Sequence, residues 1–442
     1  MLKTADTKAG TDASAGEHKP GFTDLDLSRF NDEKECPGLD ELVRRAREIA
    51  PLLIENQAET ERLTQPPLAV QQALVDAGFY KIITPRRYGG WEMGVWPFVK
   101  ITMEIGRGCP STGWCYSLGY GHTFTAASFF PPEAQDELFG DAGGYLCAAS
   151  FGYPRGAARR VEGGYVVTGD FPYGSGSPYS NFYMGETLAP AGSPHGPEGT
   201  PLFFAVHRDQ YELLDDWHGI IGLRGSGSQT VRLKDSFIPD NLVVATNFSR
   251  LSADEDGMTY GYRHHGNSFY RIPQLAFAAN YANAVMVGAA YAALDEYEHV
   301  AKTKKPQNIS ALGVKQLKVQ AQAAEVQKNY GLATADIEAA EGILRAGAIE
   351  LERMGRDGYS MADILRMTMQ IAVAGKISWK AVEDVLWRTI GSSQGVAGKR
   401  MERYWRDLSI AWNSPNNGYR ESVATGFTQL HWADFLASLE DG

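Results

Sequence analysis

Apolar residues in this chain change their spacing twice, and this change limits the folds that the chain can adopt. From about Leu39 to Glu137 they recur at intervals of three and four, as Leu42 and Ala46 do, which is typical of amphipathic helices. From about Tyr145 to Val244, short β-prone runs alternate with glycine and proline. Helical spacing returns at about Tyr270. We therefore expect an α+β fold in which two helical regions flank a β barrel or sandwich.

The same changes set the predicted domain limits. Residues 1–35 are expected to form a disordered tail, because a segment that begins MLKTADTKAG cannot bury enough apolar area to offset the entropy cost of ordering it. We expect an N-terminal helical domain at 36–140, a central β domain at 141–250 and a C-terminal helical bundle at 251–442.

Three signals place strands within the β region. The pair Gly163-Gly164 in RRVEGGYVVTG predicts a hairpin. The runs at 201–207 and 229–238 are rich in β-branched and aromatic residues and predict two further strands.

Charge and hydropathy exclude two classes of partner. The formal net charge of −11 argues against nucleic acid, because binding phosphates requires a concentrated basic surface. No segment has the roughly 18 consecutive apolar residues of a membrane helix, and the N-terminus lacks the apolar core of a secretory signal. We therefore expect a cytoplasmic protein with no membrane partner.

The cysteines and histidines predict no metal site. The four cysteines show no CxxC spacing, so reduced thiols are expected rather than a disulfide framework or a zinc site. The only close histidine pair is His264-His265, and adjacent residues point in different directions, which makes a poor chelate.

Five segments, in order, carry a resemblance to a known family. They are GRGCPSTGW (106–114), SFGYPRGAARRVEGGYVVTGDFPYGSGS (150–177), WHGIIGLRGSGSQTVRLKDSFIP (217–239), GNSFYRIP (266–273) and GSSQGVAGKRMERYWRDL (391–408). Together they resemble the oxygenase components of two-component (group D) flavin-dependent monooxygenases, relatives of 4-hydroxyphenylacetate hydroxylase and of the phenol hydroxylase of bacterial steroid degradation. The resemblance covers nearly everything after residue 36 and implies the acyl-CoA dehydrogenase fold.

The resemblance also implies an activity. Reduced FMN or FAD would arrive from a separate flavin reductase and react with O2, through a C4a-hydroperoxyflavin, to oxygenate an aromatic or polyketide-like small molecule. A homotetramer is implied as well, since the family completes each flavin site with residues of a neighbouring subunit. Two alternatives stay open: an amine N-oxygenase of the same group, and a flavin-dependent dehydrogenase or oxidase of a thioester or similar substrate.

An isoalloxazine ring needs a flat apolar surface and a few hydrogen bonds at its edge. By resemblance, Trp114 lies beside the ring, and Ser175, flanked by Tyr173, points at the N5 edge. Ser150 matches a small hydroxyl residue near the pyrimidine side, and Arg271 matches an arginine that reaches the flavin. The structural alternatives are a core tryptophan, a glycine-rich surface turn and a salt bridge at a helix start.

The C-terminal segment resembles a loop and helix that contact the flavin or its phosphate, often across a subunit interface. Its candidates are Ser392, Ser393 and Arg403, whereas Arg406 and Asp407 are expected to form a structural ion pair.

The run GLRGSGS (222–228) could be mistaken for a dinucleotide-binding loop. A strand follows it where that fingerprint requires a helix, so we expect a structural turn and no nicotinamide-binding domain. The resemblance implies that Arg224 and Ser228 hold this turn in place.

Two catalytic groups of related enzymes are absent. Phenol hydroxylases carry a histidine near the positions of Asn413 and Ser414, and many acyl-CoA dehydrogenases carry a glutamate near Pro415; neither residue type stands there. A second family histidine has a counterpart in His122, which is the catalytic candidate. The alternative for His122 is a satisfied structural histidine.

Overall fold

The structure, a computed structural model, describes residues 19–140, 142–246, 251, 256–305, 317–433 and 436. Helices make up the first part of the chain, strands the middle and helices the last part, so the predicted α+β order is confirmed. Among the described residues, no helix is both long enough and apolar enough to cross a membrane.

In the described part of the chain, seven α-helices come before the first strand. They are α1 (Ser28–Asp32), α2 (Leu39–Glu55), α3 (Gln57–Leu63), α4 (Leu68–Asp76), α5 (Val95–Gly108), α6 (Pro110–Phe129) and α7 (Pro132–Gly140). The stripe predicted in α2 is buried at Leu42, Ala46 and Leu53. Pro110 occupies the first turn of α6, where its missing N–H costs no hydrogen bond.

The predicted tail at 1–35 requires a correction. Residues 1–18 lie outside the described residues, but Ser28–Asp32 form α1 and the side chain of Phe30 is 2% exposed. Phe30 lies edge-on to Tyr145 and Phe22 stacks on the same ring, so aromatic contacts supply the apolar burial that the composition of the segment as a whole did not indicate.

The described residues include eight strands in two four-stranded sheets, with orders β1-β4-β5-β8 and β2-β3-β7-β6. The strands are β1 (Ala148–Pro154), β2 (Ala157–Val161), β3 (Gly164–Gly174), β4 (Phe182–Leu188), β5 (Pro201–His207), β6 (Glu212–Leu213), β7 (Gln229–Pro239) and β8 (Val243–Val244). β1 pairs parallel with β4, and the other pairings are antiparallel. The predicted hairpin joins β2 to β3 with Gly163 at φ 73°, and β5 and β7 lie where the sequence predicts strands.

The last part of the chain forms a helical bundle. Its helices are α8 (Tyr260–His265), α9 (Gln274–Thr303), α10 (Ala324–Asp357), α11 (Met361–Lys380), α12 (Arg400–Asn413) and α13 (Pro415–His431), with a π-helical segment at Ala381–Trp387 after α11. The central α9 packs against α5, α6, α10, α11 and α12. One continuous core runs from Phe30 to Ala411 and includes residues from all three parts.

Helices α5 and α9 cross so closely that only glycine fits at the crossing. A Cβ on Gly288 would lie 2.3 Å from the carbonyl oxygen of Met103, and a Cβ on Gly106 would lie 3.2 Å from that of Val285. This crossing holds the N-terminal helices against the bundle.

We expect Gly288→Ala to lower the free energy of unfolding by about 1–3 kcal/mol, because the added methyl group forces the two backbones apart. Chemical denaturation measures the loss. Gly331→Ala is the matched control, since Gly331 lies in α10, where an added Cβ would meet no described atom of another element within 4 Å, and it should be neutral or stabilising by up to about 1 kcal/mol. Equal effects of the two substitutions would contradict the close crossing.

Candidate active site

Helix α6 is buried along its whole length, and only Leu118 is partly exposed. Glycines allow its neighbours to approach: a Cβ on Gly113 would lie 2.8 Å from Gly106 Cα, and one on Gly121 would lie 2.7 Å from the ring of Tyr281. Surrounding backbone and rings therefore fix the position of α6, and with it the positions of Trp114 and His122.

Trp114 and Ser175, predicted from separate segments, are brought together. The indole Nε1 of Trp114 donates to Ser175 Oγ at 3.2 Å. Ser175 Oγ also lies 2.8 Å from Ser228 Oγ, which in turn lies 2.6 Å from Ser226 Oγ. The indole is 6% exposed and Ser175 is 7% exposed, so this hydroxyl row lies at the edge of the core.

Two other candidates lie beside this row. Tyr173 has a φ of 60°, uncommon for a residue with a Cβ, and its side chain is 61% exposed. Its ring packs edge-on against Trp217, with centroids 5.8 Å apart. Ser150 is half-buried in β1, next to Ala149, whose Cβ lies 3.5 Å from the place that a Cβ on Gly174 would take.

The loop 222–228 is fastened from three sides. Leu223 N donates to Asp407 Oδ1 at 2.6 Å, Gly225 N to Ser111 Oγ at 3.3 Å and Gly227 N to Thr64 O at 2.8 Å. A Cβ on Gly222 would lie 2.1 Å from the carbonyl oxygen of Arg406. The loop is therefore a rigid turn that presents Ser226 and Ser228 to Ser175.

Arg403 lies inside the protein and takes part in a buried ionic network. It is 5% exposed, and its guanidinium bonds Glu61 at 3.1 Å and Gln57 at 3.1 Å. In this chain its hydrogen bonds therefore join α12 to α3. The role of Arg403 toward a cofactor stays a prediction.

The expected Arg406–Asp407 ion pair is wrong. Arg406 bonds Glu61 at 2.9 Å and also bonds Glu402, while Asp407 accepts the Leu223 N–H. Adjacent residues of a helix point about 100° apart, so each reaches a different neighbour.

Burial, together with the nearby Glu61 carboxylate, raises the pKa of Asp407 to about 7, against the opposing effects of the Leu223 N–H, Arg406 and Arg403. Its second carboxyl oxygen, Oδ2, is buried without a hydrogen-bond partner among the described residues, which agrees with a carboxyl group that prefers its neutral form.

His122 is buried between α6 and β1. Burial lowers the pKa of His122 to about 4, because it disfavours the imidazolium, and contacts with the backbone of Leu118 and Ala148 oppose the shift only in part. At neutral pH this imidazole is uncharged. Ala148 precedes Ser150 by two residues in β1, so His122 faces the strand that carries a predicted flavin contact.

The remaining candidates make no hydrogen bond or ring contact with Trp114 or Ser175 among the described residues. The guanidinium of Arg271 lies 4.9 Å from the ring centroid of Tyr262. Ser392 and Ser393 are exposed, and Ser393 accepts a hydrogen bond from Lys304 Nζ at 2.7 Å. Asn413, where the resemblance leads us to look for a histidine, is also exposed. That Arg271 reaches the flavin, and that Ser392 and Ser393 complete the site of a neighbouring subunit, stay predictions.

Sequence reasoning missed Ser226, Glu61 and the role of Asp407. The alternation of serine and glycine in GSGS was a usable signal for Ser226, since such a run offers hydroxyl groups with little steric bulk. Glu61 carries no local signal, because its partners Arg403 and Arg406 lie more than 340 residues away.

The residues present fit an isoalloxazine ring. The indole of Trp114 supplies an apolar surface, the Ser175 hydroxyl supplies a hydrogen bond, and the exposed ring of Tyr173 adds a second apolar surface. The residues that would hold the ring are therefore Trp114, Ser175 and Tyr173, with Ser150 on the neighbouring strand.

Two family models match the chain. The acyl-CoA dehydrogenase N-terminal domain matches residues 39–137, and the acyl-CoA dehydrogenase C-terminal domain matches residues 281–413. The predicted acyl-CoA dehydrogenase fold is thereby confirmed.

Three of the known proteins that are similar to the chain illustrate the family. A pigment production hydroxylase of Rhodococcus sp. (strain ATCC 21145) is 32% identical over 84% of this chain and 91% of its own length. The flavin-dependent monooxygenase oxygenase subunit HsaA of Rhodococcus jostii (strain RHA1) is 27% identical over 85% and 96%. The structure of XiaF from Streptomyces sp. in complex with FADH2 and glycerol superposes with a TM-score of 0.76, at 26% identity over 88% and 96%.

The raised pKa of Asp407 generates a stability prediction. The ordinary pKa of an aspartate side chain is 3.8, and the pKa of Asp407 in the folded protein is about 7. Between these two pH values the folded state therefore holds a proton that the unfolded state has lost. Stability from this group is therefore present below pH 4 and is lost as pH rises to 7.

We expect Asp407→Asn, whose Oδ1 still accepts the Leu223 N–H, to gain stability relative to the parent as pH rises, by about 1–4 kcal/mol between pH 4.5 and 8. Denaturant unfolding of both proteins at several pH values measures the difference. A difference that does not change with pH would show that Asp407 is ionised throughout.

Proposed function

We propose a reaction for this protein from one premise: the chain belongs to the family of flavin-dependent monooxygenase oxygenase components that share the acyl-CoA dehydrogenase fold. The reaction is the insertion of one atom of O2 into an aromatic or polyketide-like small molecule. Reduced FMN or FAD is the cofactor, and a separate flavin reductase supplies it.

The observation that carries the proposal is the hydrogen bond from Trp114 Nε1 to Ser175 Oγ. The two residues were predicted as flavin contacts from segments 61 positions apart, and they meet at the boundary between α6 and the β region. A buried indole N–H needs an acceptor in any case. What supports a flavin role is that the acceptor is the serine that the resemblance assigns to the N5 edge.

When bound, the reduced flavin supplies the electrons that activate O2. The protein's own residues bind and orient. In this proposal Trp114 presents its indole to the ring, and Ser175 holds the ring edge by a hydrogen bond. The buried length of α6 excludes water from one side of the site, which favours oxygen transfer over release of hydrogen peroxide.

The loop 222–228 bears on the source of reducing equivalents, because it is the glycine-rich run that could be mistaken for a site for a nicotinamide dinucleotide. This glycine-rich run leads into β7 and is fastened to α12 through Asp407, so it does not have the strand-to-helix form that binds a dinucleotide. We infer that reduced flavin comes from a separate reductase.

His122 is proposed to accept a hydrogen bond from a substrate hydroxyl and so to position the substrate, since burial disfavours the imidazolium that full proton transfer would form. Its lowered pKa keeps the imidazole uncharged at neutral pH, and an uncharged imidazole has one ring nitrogen that can act as an acceptor. Asn413, near the position where related hydroxylases carry a histidine, has an amide side chain that cannot serve as a base.

We also propose a homotetramer. The support is a cavity of about 580 Å³ between α10 and α11, whose lining combines the apolar Ile343, Met367, Ile371 and Val373 with the polar Glu350, Arg366 and Gln370. The apolar part of this lining suits a second copy of the chain, and the exposed Ser392 and Ser393 would then be available to a neighbour's flavin. A cytoplasmic location is proposed from the sequence alone.

The proposal predicts that the protein binds reduced flavin more tightly than oxidised flavin, because the cofactor arrives already reduced. Anaerobic titration measures both affinities. Trp114→Ala should weaken binding by about 1–3 kcal/mol through loss of a large apolar contact, and Ser175→Ala by about 1 kcal/mol. Trp432→Ala is the control, since Trp432 is 55% exposed.

Two outcomes would count against this proposal. Neutral effects of both substitutions in a folded protein would show that the flavin lies elsewhere. A tightly held oxidised flavin that the substrate reduces directly without oxygen would instead identify a dehydrogenase.

For His122 we expect His122→Ala and His122→Asn to lower product yield per reduced flavin by tenfold or more, because a substrate that loses its positioning hydrogen bond shifts out of the reactive geometry, and a shift of about 1 Å can cost about 10²-fold in rate. Flavin affinity should not change. Single-turnover oxygen transfer measures the yield, and unchanged yield in both variants would leave His122 a structural residue.

A further inference from the structure

A second cavity, of about 470 Å³, lies on the surface of the N-terminal helical part, away from Trp114 and Ser175. Its lining includes the cations Lys34, Lys81 and Arg86, together with Cys36, Trp91 and three glycines. The protein as a whole carries a net charge of −11. Three cationic side chains around one cavity therefore form a local positive charge on a protein that is acidic on average.

The base of the cavity contains a cation that the protein itself does not fully use. Lys81 is 3% exposed, and its ammonium donates to the carbonyl oxygens of Phe30, at 2.8 Å, and of Glu33. An ammonium has three protons, so one remains. The ring of Trp91, which also lines the cavity, lies 5.6 Å from Lys81 Nζ.

The rim adds charge that is only partly compensated. Lys34 and Arg86 are exposed. Arg86 lies 3.8 Å from Glu92, a loose pair, and no ion pair in the described part of the chain engages Lys34. The acidic neighbour beneath, Glu33, is bound to Arg45 at 2.8 Å, so it does not neutralise the rim.

We propose that this cavity binds a compact anion, a phosphate or carboxylate group, with Lys34, Lys81 and Arg86 supplying charge and hydrogen-bond donors. Hydrogen bonds between ionised donors and ionised acceptors are the strong ones. The site is separate from the flavin contacts and does not depend on the proposed reaction.

Cys36 provides a reporter inside the cavity. It is the one exposed cysteine, since Cys109, Cys115 and Cys147 are buried. Its thiolate displaces iodide from neutral iodoacetamide or from anionic iodoacetate, and a Cys36→Ser variant verifies that the reaction occurs at this residue.

Two results are expected with the purified full-length protein. The ratio of the iodoacetate rate to the iodoacetamide rate should exceed that of the denatured chain, and Lys34→Gln and Arg86→Gln should each lower it by about twofold or more. Inorganic phosphate or succinate, at constant ionic strength, should slow the iodoacetamide reaction in the parent protein and less so in the two variants.

Arg29→Gln is the matched control, because Arg29 lies on the neighbouring α1 with its side chain 75% exposed, 3.6 Å from Asp76. Protection by phosphate alone would identify a phosphate site, and protection by succinate alone a carboxylate site. No protection by either anion, or equal effects of Arg29→Gln and the two cavity variants, would overturn the proposal.

Discussion

The complete burial of α6 is the constraint on which the rest of the structure depends. Because no face of α6 is exposed to water, the early helices, the β region and α9 must each cover one of its faces. Gly113, Gly119 and Gly121 have no side chain and let these elements approach closely. The same burial fixes the two residues that we propose to contact flavin and substrate. Trp114 lies at the wall formed by the β region, where it bonds Ser175, and His122 contacts the backbone of Ala148 in β1. Order at the site is therefore a consequence of core packing rather than of loop structure.

A second constraint comes from the opposite end of the chain. Glu61 of α3 joins two arginines of α12, and Asp407 of the same helix holds Leu223 by its backbone N–H. The loop 222–228 is thereby tied to both helical parts, and its serines reach Ser175 as a result. Removing one partner from such a buried network leaves uncompensated charge, which is costly. The network thus couples the integrity of the bundle to the position of a hydroxyl group more than 180 residues away in the chain.

Much of this could be predicted from the sequence because it depends on local patterns. Periodicity indicated the helix stripe of α2 and strands β5 and β7, and the motif resemblance brought Trp114 and Ser175 together. What could not be predicted depends on contacts between distant segments. The composition of the first 35 residues suggests disorder, yet Phe30 finds a partner in Tyr145. Arg406 and Asp407 are adjacent in sequence, yet helix geometry sends them to different neighbours, and only the assembled fold reveals that Asp407 is buried enough to hold a proton.

The side chains closest to the site share one property, which is that they carry no formal charge at neutral pH. Trp114, Ser175, Ser226 and Ser228 are neutral by nature, and His122 is neutral because burial lowers its pKa. The charged groups lie elsewhere. Glu61 and its arginines lie behind the loop 222–228, and Lys34, Lys81 and Arg86 line a separate cavity.

A neutral, dry lining has a specific consequence for a reaction with O2. It offers few protons to a bound oxygen species, so the oxygen atom is more readily delivered to an electron-rich substrate than lost to water. The asparagine and serine at 413 and 414, in place of a histidine, agree with this arrangement, because a ring that is already electron-rich needs orientation and shelter more than it needs a strong base.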